Sequence, residues 1–418
     1  MEFLMPIAVI STGTELLKGG CCNTNLQFLG AKLTALAMPP VMELTIGDHK
    51  SELCFALGCA LQQADTIILS GGLGPTSDDI TLETTATFFG LKLIEVPELK
   101  EKIEKRWALR HSGHCPKFQY KQAMIPEGGH YFDNPAGTAS GIAFDTFYGG
   151  KMRHIYLLPG PPGEFETVLN NGILQELEKQ QSERLFTTGF LICATGESFV
   201  AKHAPNLLKD QDIELAYTAV PGGTKLFLSG KDPELIADAA KKAQDFFGKN
   251  ALNPGEFDLP TALLKKLRNK NLTLGSAESC TGGICADIIV SIPGASDIFK
   301  GGIVSYANSA KADILGVSDE ILNNYGAVSS QCAEAMVLGT CKALKCDCAI
   351  GTTGIAGPGG GTPEKPVGLV YIAATVNGLT AVKELHLHGN RRMIRERAAA
   401  AAFHLLYELL DSPENNKC

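Results

Sequence analysis

The sequence predicts an α/β protein of two or three domains. Apolar, strand-like runs alternate with helix-periodic segments near the start, and the same alternation resumes after residue 256. Between them lies a stretch with strand signals but no such alternation. A length of 418 residues suits that division.

In chain order, residues 6–11 read as a first apolar strand. Asn23 is placed to cap a helix with Leu26, Leu29, Leu33 and Leu36 along one side. Residues 41–46 read as a second strand. Ser51 is placed to cap a helix carrying Leu53, Ala56, Leu57, Ala60 and Leu61, and residues 66–70 form a third strand. Such alternation builds a parallel sheet covered by helices, with ligands at the carboxyl ends of its strands. The middle stretch offers strands at 190–195, 214–218 and 225–229 and a helix at 233–247, a small α+β domain without a catalytic cluster. Asn253-Pro254-Gly255 reads as a linker. A helix at 260–270 and a strand at 272–277 open the last region, and an alanine-rich helix at 390–410 closes it. The expected domains are therefore 1–169, 170–252 and 256–414.

Composition excludes several function classes. Hydrophobic residues make up 44% and charged residues 20%, ordinary for a soluble globular chain. A net charge of −8 argues against general nucleic-acid binding, which needs a basic surface. No apolar run is long enough to span a bilayer. Residues 1–11 lack a basic leader and a cleavage site, so a signal peptide is not expected. Thirteen cysteines without C-x-x-C spacing fit reduced thiols in a cytoplasm, and neither Cys21-Cys22 nor Cys346-x-Cys348 has zinc-site spacing.

Four C-terminal segments carry chemistry. Ala277-Glu278-Ser279-Cys280-Thr281-Gly282-Gly283 sits between a strand and a helix at 284–292. The helix N-terminus offers backbone N–H groups to an oxyanion or phosphate, and the glycines admit close approach. Ser279 or Cys280 is a nucleophile candidate there, while the plainer reading has Ser279 or Thr281 capping the helix. In Ser305-Tyr306-Ala307-Asn308-Ser309-Ala310-Lys311, Asn308 is placed to cap a helix and Lys311 falls in its first turn. The helix dipole disfavours a cation there. Desolvated, Lys311 loses pKa and becomes a base; otherwise it is a surface lysine. Gly351-Thr352-Thr353-Gly354-Ile355-Ala356-Gly357-Pro358-Gly359-Gly360-Gly361 follows an apolar strand at 348–350 and reads as a phosphate cradle without a Walker signature. Arg391 and Arg395 lie one turn apart at the start of the last helix, where a bound anion explains cations that the dipole opposes.

Together these stretches resemble the C-terminal domain of the CinA family, the competence/damage-inducible proteins. The Lys365-Pro366-Val367-Gly368 stretch adds to that resemblance. It extends to Ser11-Thr12-Gly13-Thr14-Glu15, Asn23-Thr24-Asn25, Gly71-Gly72-Leu73-Gly74-Pro75-Thr76-Ser77-Asp78-Asp79, Lys121-Gln122-Ala123-Met124 and Leu158-Pro159-Gly160-Pro161-Pro162. The resemblance implies a nicotinamide mononucleotide deamidase of the Ser–Lys type that needs no cofactor. It makes Ser279 the nucleophile and Lys311 its base, with Tyr306 and Thr353 assisting. Thr281, Gly282, Gly283, Gly357 and Gly359 would line the substrate, and Arg395 or its rival Arg391 would hold the phosphate. Backbone N–H groups near 281–283 would steady the oxyanion. The family forms dimers, so a homodimer is implied too.

For the N-terminal module the resemblance implies a molybdopterin-binding-like three-layer α/β domain with ADP-ribose pyrophosphatase activity. Glu15, Asn25, Gly72, Gly74, Thr76, Asp78 and Asp79 are its candidate site, with a divalent metal on Asp78 and Asp79. Thr76 and Asp79 equally fit a capping box for the following helix. In place of the family's frequent Gln-Ile-Val type of stretch this chain has Gly20-Cys21-Cys22. A pterin-binding or structural module is the competing expectation. For the whole chain, a regulatory nucleotide-binding protein without turnover competes with the enzyme.

Overall fold

The computed structural model describes residues 6–36, 38–180, 186–208 and 212–412. The expected outer ends of the first and last domains, residues 1 and 414, lie outside these. The chain divides into two compact units, Met1–Thr187 and Thr188–Cys418.

The first unit is built on a six-stranded sheet ordered Met42–Ile46, Ile7–Thr12, Thr66–Ser70, Lys151–Leu158, Gly141–Tyr148 and His130–Phe132. The first four strands run parallel and the last two antiparallel. Alternate residues of a strand face opposite sides. Ile7 and Val9 accordingly join a core with Leu29 and Leu33 of helix Thr24–Ala35. Ala8 and Ile10 join another with Leu53, Ala56, Leu57, Ala60 and Leu61 of helix Lys50–Gln63. This is the expected three-layer arrangement. From its first strand the chain passes to one side and then to the other, so the crevice beyond these carboxyl ends is a topological switch point.

Asn23 caps its helix as expected, accepting from Leu26 N at 3.0 Å. Ser51 does not: the helix starts at Lys50 with His49 as its cap residue, and Ser51 lies inside the first turn. Residues 162–180 form a helical run, broken only by a turn at Gly172, that buries Phe165, Val168, Leu169, Ile173 and Leu177 in the first unit. The expected boundary at residue 169 falls inside it, and the only break there is the kink at Asn171 and Gly172.

In the second unit, strands Glu214–Val220, Gly223–Gly230 and Phe186–Cys193 form one sheet, with helices Glu197–Leu207 and Pro233–Phe247. Residues 253–255, expected as a linker, are a bonded turn. Gly255 N donates to Gly189 O at 2.7 Å, Leu252 N to Leu191 O at 2.9 Å, and Leu191 N to Glu256 O at 2.9 Å. Leu191, Cys193 and Leu252 share one core with Leu259, Leu263 and Phe403. A Pro-Gly pair marks a turn whether or not the flanking chain is pinned.

The second sheet of this unit is ordered Phe299–Val304, Leu274–Glu278, Cys348–Gly354, Leu369–Val376 and Leu379–His386. Its first three strands are parallel and the rest antiparallel. The central strand again precedes both parallel neighbours in the chain, which creates a second switch point at the carboxyl end of Leu274–Glu278. Helix Arg391–Leu409 packs beneath, with Ile394, Ala398, Ala402 and Phe403 in the core.

Glu408 on that helix joins three elements. It accepts from Lys383 at 2.6 Å and pairs with Lys249 at 2.9 Å. Burial alone would raise its pKa, but the two lysines outweigh burial and hold it at about 2. The folded pKa lies below the unfolded value, so its contribution is present above about 4.5 and lost as pH falls toward 2. Glu408→Gln therefore lowers stability by about 2 kcal/mol at neutral pH. Thermal unfolding followed from pH 7 downward shows the gap between variant and parent closing toward pH ~2.

Candidate active site

The parallel strands of the second sheet end together, and the C-terminal candidates meet there. Glu278 ends the central strand and Ser279 opens the turn that follows, its own N–H donating to Thr352 O at 2.9 Å. Gly282 and Gly283 take left-handed conformations, with φ of +59° and +102°, which glycine adopts without strain. Helix Ile284–Val290 begins beyond them.

Neither Ser279 nor Thr281 caps that helix; its cap residue is Gly283. The capping group is the Glu278 carboxylate, which accepts from Gly283 N at 2.9 Å, Cys285 N at 3.0 Å and Ala286 N at 2.8 Å. The expected oxyanion donors at 281–283 are thereby corrected. Among the described residues, the turn amides not taken by a protein oxygen are those of Cys280, Thr281 and Gly282. The Thr281 hydroxyl is also engaged, 2.7 Å from that of Thr352.

Lys311 is the second half of the constellation. Helix Asn308–Leu315 starts one residue earlier than expected, with Ala307 as its cap residue and Asn308 inside the first turn without a side-chain cap bond. Lys311 is 1% exposed, so the surface reading is excluded. Its Nζ lies 3.0 Å from Ser279 Oγ and donates to Ser305 O at 2.7 Å and Tyr306 O at 3.4 Å. Burial pushes its pKa below the ordinary lysine range. A neutral amine has two protons and one lone pair. The two carbonyls satisfy the protons, which leaves the lone pair for the serine hydroxyl.

Cys280, the rival nucleophile, is 6% exposed, and burial pushes its thiol up to about 11. A thiol of that pKa is almost wholly protonated at neutral pH and is a poor nucleophile.

The other candidates ring this pair. Tyr306 is exposed, and its hydroxyl accepts from Arg391 at 3.4 Å. Arg391, also exposed, donates to Gly357 O at 2.7 Å. Arg395 faces inward instead, donating to Thr281 O at 2.5 and 3.2 Å, so it braces the nucleophile turn. Of the two arginines, Arg391 is the one on the open face. Thr353 is buried, and its hydroxyl donates to Ala327 O at 2.6 Å. The glycine-rich segment proves half strand, since Gly351 to Gly354 complete Cys348–Gly354, and only Ile355 onward is loop. Gly357 and Gly359 lie in that loop; Gly357 has a φ of +74°. Lys365 bridges it to a neighbouring loop through Tyr325 O and Val328 O, both at 2.7 Å.

At the switch point of the first unit lies a cleft of about 810 Å³, lined by Glu15, Asn25, Gly72, Gly74, Asp78 and Asp79 among others. Asn25 donates to Ser70 Oγ at 3.1 Å and Gly160 O at 2.7 Å, tying two strand ends together. Thr76 is turned to Asp79, whose carboxylate accepts from Thr76 N at 2.9 Å and from its hydroxyl. This bond closes the loop on itself and is not a capping box, because helix Thr81–Phe88 starts beyond it with no side-chain cap. Glu15, Asp48, Asp78, Asp79 and Glu164 give the lining five carboxylates, without a lysine, arginine or histidine. Among the described residues no three His, Cys, Asp or Glu side chains converge to cage a metal unaided.

The burial difference between thiols is testable. Brief alkylation of the native protein at neutral pH modifies the exposed Cys21 and Cys22 and spares Cys280, as peptide mass spectrometry will show.

Comparison with known proteins agrees with this division. Residues 256–410 match the family model "CinA C-terminal domain", and residues 8–179 match "Probable molybdopterin binding domain". A protein of Moorella thermoacetica is 39% identical over 414 residues, covering 97% of this chain and 99% of its own. A CinA-like protein of Dictyoglomus turgidum is 38% identical over 398 residues, with 94% and 96% covered. Among solved structures, the competence/damage inducible protein CihA from Agrobacterium tumefaciens is 39% identical with a TM-score of 0.36, covering 36% of this chain and 93% of that one. With family models along both units and relatives similar along nearly the whole length, the chain belongs to the CinA family.

Proposed function

We propose that the C-terminal module is a Ser–Lys amidohydrolase that converts nicotinamide mononucleotide to nicotinic acid mononucleotide and ammonia, in pyridine nucleotide recycling. The observation that carries the chemistry is the buried Lys311 amine 3.0 Å from Ser279 Oγ, with carbonyl acceptors for its protons. The substrate rests on the family resemblance. Lys311 takes the Ser279 proton as Oγ attacks the carboxamide carbon. Amides of residues 280–282 are the nearest candidates for the oxyanion. Protonated Lys311 then gives its proton to departing ammonia, leaving a nicotinoyl ester on Ser279. Water, deprotonated by the same amine, cleaves the ester. Exposure of Arg391 beside Tyr306 favours it over Arg395 as the cation that would meet the phosphate.

The acidic cleft favours a second reading for the N-terminal module. A site lined by five carboxylates repels a bare pyrophosphate, so ADP-ribose hydrolysis there requires a divalent cation. Such an ion, held by one or two of these carboxylates and the substrate's own oxygens, suits the hard donor set. It supplies charge neutralisation and orientation of the phosphates.

Ammonia release from nicotinamide mononucleotide tests the main proposal. Ser279→Ala and Lys311→Ala each lower kcat by about 10⁴-fold. Lys311→Arg does not restore it, since a guanidinium stays protonated. An unchanged rate in a folded Ser279→Ala variant would sink the mechanism. The base works only when deprotonated, so kcat falls as pH drops through the Lys311 pKa, which burial places below 10.5. A rate that rises toward acid pH contradicts Lys311 as the base.

A further inference from the structure

We infer that Glu278 is the positioning residue of the Ser–Lys pair, setting the nucleophile and the base relative to each other from one point; this rests on the amidohydrolase reading above. Glu278 is 1% exposed. A carboxylate so buried needs nearly every lone pair satisfied. Three backbone amides supply this, with the Ser276 hydroxyl at 3.3 Å as a fourth donor. Two of those amides belong to the first turn of the helix that follows. The side chain therefore reaches forward across residues 279–283 and ties the far end of the nucleophile turn back to the strand it leaves. With Ser279 N bound to Thr352 O at the near end, the turn is held at both ends.

The main chain of the same residue fixes the base. Glu278 O accepts from Ser305 N at 2.9 Å, and Ser305 O accepts from Lys311 at 2.7 Å. The path from Oγ back through Glu278 to Ser305 and on to Nζ passes only through covalent and hydrogen bonds. Displacing Glu278 changes the 3.0 Å separation that proton transfer requires. Its carboxylate also occupies the Gly283 amide, which restricts the oxyanion donors to residues 280–282.

Glutamine at this position replaces one acceptor oxygen by an amide nitrogen that faces backbone N–H donors, and it removes the charge. Aspartate keeps the charge but is one methylene too short to reach Gly283, Cys285 and Ala286 together. Both variants are to be assayed for turnover of nicotinamide mononucleotide and, separately, for labelling of Ser279 by a fluorophosphonate, which needs the pair but not the substrate. Thermal midpoints and circular dichroism establish the folded fraction. Glu278→Gln is expected to lower kcat and the labelling rate in parallel by about 10²-fold, with KM within about threefold, since a displacement near 1 Å costs that much. Glu278→Asp is expected to recover part of both rates and serves as the test variant should Glu278→Gln not fold. A purely structural role lowers the thermal midpoint and leaves the folded fraction's kcat and labelling at parent values, which would overturn the inference. If the parent labels at Ser279 without turning over the nucleotide, only the substrate assignment fails and labelling still decides the role of Glu278. If the parent neither labels nor turns over, the amidohydrolase reading falls and this inference with it.

Discussion

A buried lysine amine is held 3.0 Å from a serine hydroxyl, and the second unit is arranged around that contact. An ammonium in such a place is costly, so the fold shifts the proton equilibrium and provides carbonyl acceptors for a neutral amine. Those acceptors come from the end of one parallel strand, and the serine comes from the end of the next. The parallel sheet brings three carboxyl ends together, with helices Ile284–Val290 and Asn308–Leu315 following two of them. The antiparallel strands and the last helix cover the remaining edge and face.

Both units place their candidate sites at a switch point, yet the two environments differ in kind. The C-terminal site holds one buried amine and one buried carboxylate, each bonded to backbone. The N-terminal cleft is acidic, lined by five carboxylates and by no lysine, arginine or histidine. The shared geometry comes from strand–helix alternation. The chemistry comes from what each loop adds beyond its strand.

Much of this was legible in the sequence because periodicity reports which face is buried. The strand at 66–70 and the helix at 233–247 fall where the pattern puts them. Asn23 caps because its side chain precedes a helix with room to fold back, while Ser51 sits two residues past the cap position at His49. Helix Glu197–Leu207 escapes notice because Pro205 interrupts its pattern, and strand Leu379–His386 because it is an exposed edge with mixed polarity. At the site, Ser279 and Lys311 are visible through their motifs, and the lysine in a first helical turn is the one that the fold buries beside the serine. Glu278 is not visible in this way: a glutamate at a strand end carries no pattern that says its carboxylate turns forward to cap the next helix. The inward aim of Arg395 and the loop-closing role of Asp79 likewise depend on side-chain direction, which spacing does not encode.

The central claim is that Ser279, activated by Lys311, forms an ester with the substrate's acyl group. Acid quench during steady turnover of nicotinamide mononucleotide, followed by peptide mass spectrometry, measures this directly. The account predicts a nicotinoyl adduct on the peptide that bears Ser279, localised to Ser279 and lost on a chase without substrate. Turnover with the adduct on Cys280, or with no adduct on Ser279 even when ester hydrolysis is slowed, would contradict it.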